Sequence, residues 1–76
     1  MGHPNDTDGR IEQAILRYLA EHPQALDTIE GIQRWWLGPD LQSIDQATIT
    51  RALDGLVADG RVERRPLPSG GAVYRA

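Results

Sequence analysis

The fold is decided by residues 45 to 76, which read DQATITRALDGLVADG (45–60), RVERR (61–65), PLPSGG (66–71) and AVYRA (72–76). In the first segment, apolar side chains recur at Ile49, Leu53 and Leu56, which is the spacing of one face of a helix. The segment stops at Gly60, and glycine readily takes the left-handed conformation that commonly ends a helix. These residues therefore predict a helix over residues 44 to 59, with one face buried and the other exposed.

The remaining segments predict a β-hairpin. Two short runs, residues 61 to 65 and 72 to 75, flank a loop at residues 66 to 71 that is made mostly of proline and glycine. Both residue types favour turns, and this loop is too long for a tight two-residue turn. The first run is rich in arginine, so one strand of the hairpin is strongly basic.

The upstream sequence predicts a further helix and a very short strand. An apolar stripe from Ile11 to Leu19 predicts a helix over residues 10 to 21. The helix is expected to end ahead of Pro23, because the residue before a proline is disfavoured in the helical region. Residues 24 to 26 then predict a short strand that joins the edge of the sheet.

Two capping-box patterns predict the starts of the other helices. Asp27 with Glu30 three residues later opens the second helix, which continues until the Gly-Pro pair at 38–39. The same pattern recurs at Ser43 and Gln46, ahead of the third helix. The chain therefore alternates helices with short strands in an α+β arrangement.

One part of the chain resembles a known family. Residues 48 to 53 (TITRAL), followed by Leu56, Gly60 and residues 62 to 65 (VERR), are similar to the recognition helix and first wing strand of winged helix-turn-helix repressors of the GntR type. The resemblance covers about thirty residues, from Asp45 to Tyr74. It implies a winged-helix fold and binding to double-stranded DNA.

The predicted fold is a small α+β winged-helix domain over residues 10 to 76, with the order α1-β1-α2-α3-β2-β3. Residues 1 to 9 are polar and lack periodicity, so we interpret them as a disordered leader. The predicted core consists of Ile11, Ile15, Leu19, Leu26, Ile29, Ile32, Trp36, Ile49, Leu53, Leu56, Val62 and Tyr74.

The resemblance also implies DNA contacts. In GntR-type repressors, a Ser-Arg pair ahead of the threonine, the arginine of the recognition helix and the wing glycines contact DNA. The matching positions in this chain are Thr48, Arg51, Arg65, Gly70 and Gly71. Asp45 and Gln46 stand where the family has its Ser-Arg pair, and a carboxylate repels phosphates where a hydroxyl would donate to them.

The residues themselves indicate how DNA would be contacted. Thr50 and Arg51 lie on the polar face of the third helix, from which side chains reach base edges in a major groove. Arg64 and Arg65 carry guanidinium groups that match phosphate geometry. We therefore predict a DNA-binding module of a bacterial transcriptional regulator, with helix 44–59 in the major groove and wing 61–75 on the backbone.

The charge balance leaves a second hypothesis open. The net charge is −3 and the sequence pI is about 5.1, whereas nucleic-acid binders are usually basic. The charge is polarised, since residues 60 to 76 hold four arginines against one glutamate, while residues 1 to 44 hold three arginines against seven acids. The alternative function is a winged helix used for protein–protein interaction or dimerisation, through its acidic helices.

Trp35 is the candidate residue for that alternative. Trp36 falls within the apolar stripe of the second helix, whereas Trp35 lies at the boundary with solvent. Trp35 either covers the edge of a small core or, with Leu37 beside it, marks a surface for a homodimer or another protein. The sequence is compatible with both interpretations.

Composition and motifs exclude several other classes. A chain of 76 residues without cysteine has no disulfides, no thiolate metal site and no room for a deep catalytic pocket, which suits one small cytoplasmic domain. No apolar run is long enough to span a membrane. No nucleophile–base pair, phosphate-binding loop or metal-ligand spacing is present, so we predict no catalysis, cofactor, metal or small-molecule substrate.

His3 and Gly55 each have a functional interpretation and a non-functional one. His3 follows the amino terminus at a spacing that can chelate copper or nickel, although short motifs in tails are mostly incidental. Gly55 lies mid-helix, where glycine costs about 1 kcal/mol relative to alanine. Its presence reflects either tolerance at a surface or the close approach of a partner backbone.

Overall fold

A computed structural model describes residues 6–76, with side chains described from residue 8 onward. His3 and the first part of the predicted leader lie outside the described residues. The elements follow in the order α1 (Asp6–Glu21), β1 (Leu26–Thr28), α2 (Ile29–Gly31), a π-helical segment (Ile32–Trp36), a 3₁₀ turn (Pro39–Leu41), α3 (Gln46–Ala58), β2 (Glu63–Pro66) and β3 (Ala72–Arg75). The chain is therefore a small α+β winged-helix domain with the predicted order of helices and strands.

The three strands form one antiparallel sheet in the order β1-β3-β2. The central strand β3 pairs with β1 through Asp27 and Tyr74, and with β2 through Arg64 and Tyr74. Tyr74 is buried, and every residue of β2 is exposed. The hairpin of β2 and β3 therefore anchors to the core through β3 and projects β2 into solvent as the outer strand of the wing.

The core lies between α1, the π-helical segment and α3. Its buried side chains are Ile11, Ile15, Leu19, Ile32, Trp36, Leu37, Leu41, Ile49, Ala52, Leu53, Leu56, Val62 and Tyr74. Most of the predicted core residues are in this set, and Ile29 packs against it while partly buried. The apolar stripes of the first and third helices thus bury against each other as predicted.

The prediction that Leu26 is a core residue is wrong, because the residue is 51% exposed. Leu26 pairs with Arg75 at the end of the edge strand β1, and paired residues project from the same face of a sheet. Arg75 is exposed, so Leu26 shares the outward face. The strand itself lies two residues later than the predicted residues 24 to 26.

Helix α1 begins four residues before the predicted start at Arg10, so Gly9 and Asp8 belong to it and not to the leader. The predicted boundary after Gly9 rests on the polar, aperiodic character of residues 1 to 9. A carboxylate in the first turn is favoured by the helix dipole, and Asp8 also has a partner on α3. Both effects help to extend the helix.

The cap of the second helix is Thr28 and not Asp27. The Oγ1 of Thr28 accepts a hydrogen bond from the Gly31 N–H at 3.2 Å, and Asp27 Oδ1 accepts from the Thr28 N–H at 2.9 Å. Beyond Gly31 the helix widens, because the Leu37 N–H donates to the Ile32 carbonyl at 3.1 Å. An i to i−5 bond of this kind defines the π-helical segment.

The N-cap residue of the third helix is Asp45, whose side chain makes no capping hydrogen bond, so the predicted capping box at Ser43 is wrong. The 3₁₀ turn continues into a turn in which the Ile44 N–H donates to the Leu41 carbonyl at 3.4 Å. The chain therefore enters the α conformation only after Ile44. The helix runs over Gln46–Ala58, slightly shorter than the predicted residues 44 to 59.

Gly60 ends α3 as predicted, with φ +77. The Gly60 N–H donates to the Val57 carbonyl and the Arg61 N–H donates to the Leu56 carbonyl, both at 3.0 Å, which is the hydrogen-bond pair of a Schellman motif. Val62 N–H donates to the same Leu56 carbonyl at 3.3 Å. Because these bonds hold residues 61 and 62, β2 begins at Glu63 and not at the predicted residue 61.

Replacing Gly60 by alanine should lower the free energy of unfolding by about 1 to 2 kcal/mol, the usual cost of the left-handed conformation for a residue with a Cβ. Gly38 is the matched control, since its φ is −71 and an added Cβ would meet open space. Gly38→Ala should change stability by less than about 1 kcal/mol, in the stabilising direction. Urea denaturation measures both, and equal losses in the two variants would contradict the Schellman assignment.

Candidate nucleic-acid interface

The exposed side of α3 and the wing meet in one surface, which we call the α3–wing surface. It comprises the outward residues of α3, strand β2 and the loop between β2 and β3. The Arg64 Nη1 on β2 lies 4.0 Å from Asp54 Oδ1 on α3. At the other end, a groove of about 230 Å³ is lined by Gln46 of α3 and by Leu67, Gly70 and Gly71 of the wing, with Thr28, Ile29, Glu30 and Ala72.

Arg51 lies on this surface and is held by a residue of α1. Its Nε donates to Asp8 Oδ2 at 2.9 Å, and its Nη2 donates to Asp8 Oδ1 at 3.1 Å. The Arg51 side chain remains 63% exposed, whereas that of Asp8 is 13% exposed. The pair is bidentate, the geometry in which arginine and carboxylate bind most strongly.

The pairing changes the titration of both groups. The hydrogen bond from Arg51, together with its charge, holds the pKa of Asp8 below its ordinary value despite some desolvation. The hydrogen bond to Asp8, followed by its charge, raises the pKa of Arg51. A carboxyl whose pKa is lowered on folding stabilises above its unfolded pKa, and this contribution is lost as pH falls through the folded value. Both groups are therefore charged at neutral pH.

The two threonines of the predicted site, Thr48 and Thr50, donate their hydroxyl hydrogen bonds to acceptors at the start of α3. Thr48 Oγ1 donates to Asp45 Oδ1 at 2.5 Å and is partly buried. Thr50 Oγ1 donates to the Gln46 carbonyl at 2.8 Å. Their oxygens keep acceptor capacity only, so neither hydroxyl can donate to a phosphate without giving up its present partner.

The wing arginines are exposed and loosely paired. Arg65 Nε lies 3.9 Å from Glu63 Oε2, and Arg75 Nε lies 3.8 Å from Glu63 Oε1, so one glutamate stands between two arginines. The side chains of Arg64 and Arg65 are 55% and 61% exposed. Exposed ion pairs of this length contribute little to stability. These guanidinium groups can therefore exchange a carboxylate for a phosphate at small cost.

Gly70 and Gly71 form the tip of the wing. Their φ angles are +98 and +73, and both are exposed. The Gly70 N–H donates to the Leu67 carbonyl and the Leu67 N–H donates to the Gly71 carbonyl, each at 3.0 Å. The positive φ angles require glycine, and the lack of side chains lets a ligand approach the backbone closely.

The amino-terminal end of α3 is acidic. Asp45 occupies the N-cap and is exposed, with Gln46 next to it. Helix amino termini favour anions, and the carboxylate of Asp45, which accepts from the Thr48 hydroxyl, places a negative charge at this end of α3. Further along, Asp54 and Asp59 are also exposed, and Arg51 is the basic residue between Asp45 and Asp54. The positive charge of the α3–wing surface therefore comes mainly from the wing.

Trp35 is exposed, so the interpretation that it covers the core is wrong. Its side chain is 66% exposed, whereas Trp36 is 5% exposed and stacks on Tyr18 with ring centroids 5.1 Å apart. The prediction that Leu37 extends the exposed patch is also wrong, because Leu37 is 3% exposed. The π-helical segment ends at Trp36, after which the extended Leu37 packs against the core.

Gly55 lies against α1. An added Cβ would stand 3.3 Å from Glu12 Oε2, and Gly55 is partly buried. The close neighbour is thus a side chain of the first helix, which neither of the two hypotheses for this glycine named. Asp8 is the contributor to the site that the sequence did not single out, since an acid one turn before the Ile11 stripe indicates a helix start and not a partner on α3.

The comparisons with known proteins return no relative. No family model, no curated protein and no solved structure matches this chain. Among residues 6 to 76, no helix combines the length and the apolar character needed to cross a bilayer. The similarity of residues 45 to 74 to GntR-type repressors therefore stays a prediction.

Replacing Trp35 by alanine should leave the free energy of unfolding within about 1 kcal/mol of the starting protein, because an exposed side chain contributes little to packing. Trp36→Ala is the matched control and should destabilise by about 3 kcal/mol or more, as aromatic truncations in cores do. Thermal or urea unfolding measures the difference. Similar losses of unfolding free energy in both variants would show that Trp35 packs as a core residue.

Proposed function

We propose that this chain is a DNA-binding winged-helix module of a bacterial transcriptional regulator. Helix α3 enters the major groove with Thr50 and Arg51, and the wing contacts the backbone with Arg64, Arg65 and the Gly70-Gly71 tip. The observation that carries this proposal is the continuity of α3 with the wing through Arg64 and Asp54, which gives one surface with exposed arginines on both elements.

The charges indicate which element contacts phosphates and which element contacts bases. Phosphate contacts supply affinity without sequence information, and base contacts supply specificity. Arg61 just before β2 and Arg64 and Arg65 within it are all exposed, so the wing side of the surface is the part suited to phosphates. The start of α3 carries Asp45, whose negative charge repels phosphates and weakens the general attraction of this end of the helix to DNA. Overall affinity is therefore expected to be modest and dependent on the wing.

A salt titration tests the proposal. If the three arginines Arg61, Arg64 and Arg65 each neutralise a phosphate, log affinity for a mixed-sequence duplex should fall against log salt with a slope of about −3. Arg65→Ala should flatten that slope by about 0.9, since one phosphate contact is lost. Arg17→Ala removes the same charge from the exposed side of α1 and is the control, for which the slope should stay unchanged.

Fluorescence anisotropy with a labelled duplex gives these slopes. The absence of any binding at about 50 mM salt, where phosphate contacts are strong, would contradict the DNA proposal. Equal effects of Arg65→Ala and Arg17→Ala on the slope would contradict the proposed phosphate contacts of the wing.

The acidic start of α3 gives a second test. Asp45→Ser combined with Gln46→Arg restores the residues of GntR-type repressors at these positions. The double variant should bind duplex DNA about 1 to 3 kcal/mol more tightly, since it adds a contact and removes a repulsion. Asp40→Ser with Gln24→Arg changes the charge by the same amount at exposed positions outside α3 and the wing and is the control. If the two double variants gain equally, the start of α3 does not face DNA in the family manner.

One observation favours a second candidate function, which is association with a second copy of the chain. Trp35 is 66% exposed, and Glu30, Arg34 and Gly31 line a shallow groove beside it. Tryptophan is enriched among the residues that dominate interface energies. Sedimentation equilibrium of the starting protein and of Trp35→Ala tests this candidate, which is supported by a dimer that the substitution dissociates and contradicted by a monomer at all concentrations.

A further inference from the structure

The ion pair between Asp8 and Arg51 joins the first turn of α1 to the exposed face of α3, across a separation of 43 residues. Asp8 is part of neither the recognition helix nor the wing, and the sequence pattern predicts it to lie in the leader. Its position at Arg51 bears on what this arginine can bind.

The geometry leaves half of the guanidinium group free. Arginine has five N–H donors in a planar fork, and Asp8 takes the Nε–H and one N–H of Nη2. The remaining donors are the two of Nη1 and the second of Nη2, which form the outer end of the fork. Because the Arg51 side chain is 63% exposed, this outer end faces solvent.

The pair also removes most of the net charge at this point. A neutral pair attracts phosphates weakly, whereas its outer N–H groups can still donate to a pair of acceptors. Guanine presents such a pair, O6 and N7, in the major groove, and bidentate arginine contacts to guanine are the commonest specific contacts. A side chain fixed by a second partner also loses less freedom on binding.

We infer that Asp8 is a positioning residue that holds Arg51 as a reader of a guanine in the major groove and weakens its use as a general phosphate contact. This inference rests on the proposed DNA-binding function and deepens it. It assigns base reading to the Asp8–Arg51 pair and phosphate binding to the wing.

The test compares the starting protein with Asp8→Asn, Asp8→Glu and the control Glu21→Gln. The control removes one negative charge from the exposed end of the same helix, distant from α3. Thermal unfolding establishes that each variant is folded. Each folded protein is then used to select duplexes from a random-sequence library, and its affinity for a mixed-sequence duplex is measured against salt.

The inference predicts opposite changes in specificity and in general affinity for Asp8→Asn. The preference for guanine at one position of the selected site should fall by roughly tenfold or more, within the range of one bidentate base contact. The salt slope on the mixed duplex should steepen by about 0.9, because a released Arg51 becomes a phosphate contact. Asp8→Glu, which retains a carboxylate, should recover part of the preference, and Glu21→Gln should retain all of it.

A direct readout of the pair comes from the Nε–H signal of Arg51 in a ¹⁵N spectrum. The signal should be protected from exchange in the starting protein, lost in Asp8→Asn, and lost in the starting protein as pH falls through the lowered pKa of Asp8. An Asp8→Asn protein that keeps the guanine preference overturns the inference while DNA binding stands. If the starting protein binds duplexes without sequence preference, the inference is wrong and the proposed function stands. If the starting protein binds no duplex, both the inference and the proposed function are wrong.

Discussion

The burial of the α1 stripe against the α3 stripe is the contact on which the rest of the structure depends. Ile11 and Ile15 of α1 and Ile49 and Leu53 of α3 are fully buried, and the chain has no cysteine to supplement this packing. A domain of this size buries only about 60% of its unfolded surface, so each large core side chain carries a considerable share of the stability. The orientation of α3, and with it the direction of its polar face, is set by this contact.

The same packing creates the features that concern function. Because α1 lies along α3, its first turn brings Asp8 within hydrogen-bond distance of Arg51, and its second turn brings Glu12 beside Gly55. The Schellman motif at Gly60 then turns the chain directly into the wing and keeps Arg64 close to Asp54. Acidic and basic groups are thereby interleaved on one surface, which explains how a chain of net charge −3 can still present exposed arginines in a defined arrangement.

Much of this fold was predictable from the sequence, because periodicity and turn residues are local signals. The stripes of α1 and α3, the positive φ of Gly60 and the hairpin around the Pro/Gly loop follow from such signals. The predictions that are wrong concern features that depend on neighbours in space and not on neighbours in sequence. The caps at Thr28 and Asp45 depend on how the preceding turns close, and the exposure of Leu26 depends on its register with Arg75. The Asp8–Arg51 pair joins residues far apart in sequence, so no local pattern could reveal it.

The proposal that the α3–wing surface binds duplex DNA can be tested directly. The most direct measurement is a ¹⁵N chemical-shift titration of the chain with a mixed-sequence duplex at about 50 mM salt, repeated at higher salt to weaken phosphate contacts. We expect saturable shifts confined to α3, β2 and the wing loop, with the Arg51 Nε–H among them, and weaker shifts at higher salt. Unchanged spectra, or shifts centred on the Trp35 indole and the acidic face of α1, would contradict it.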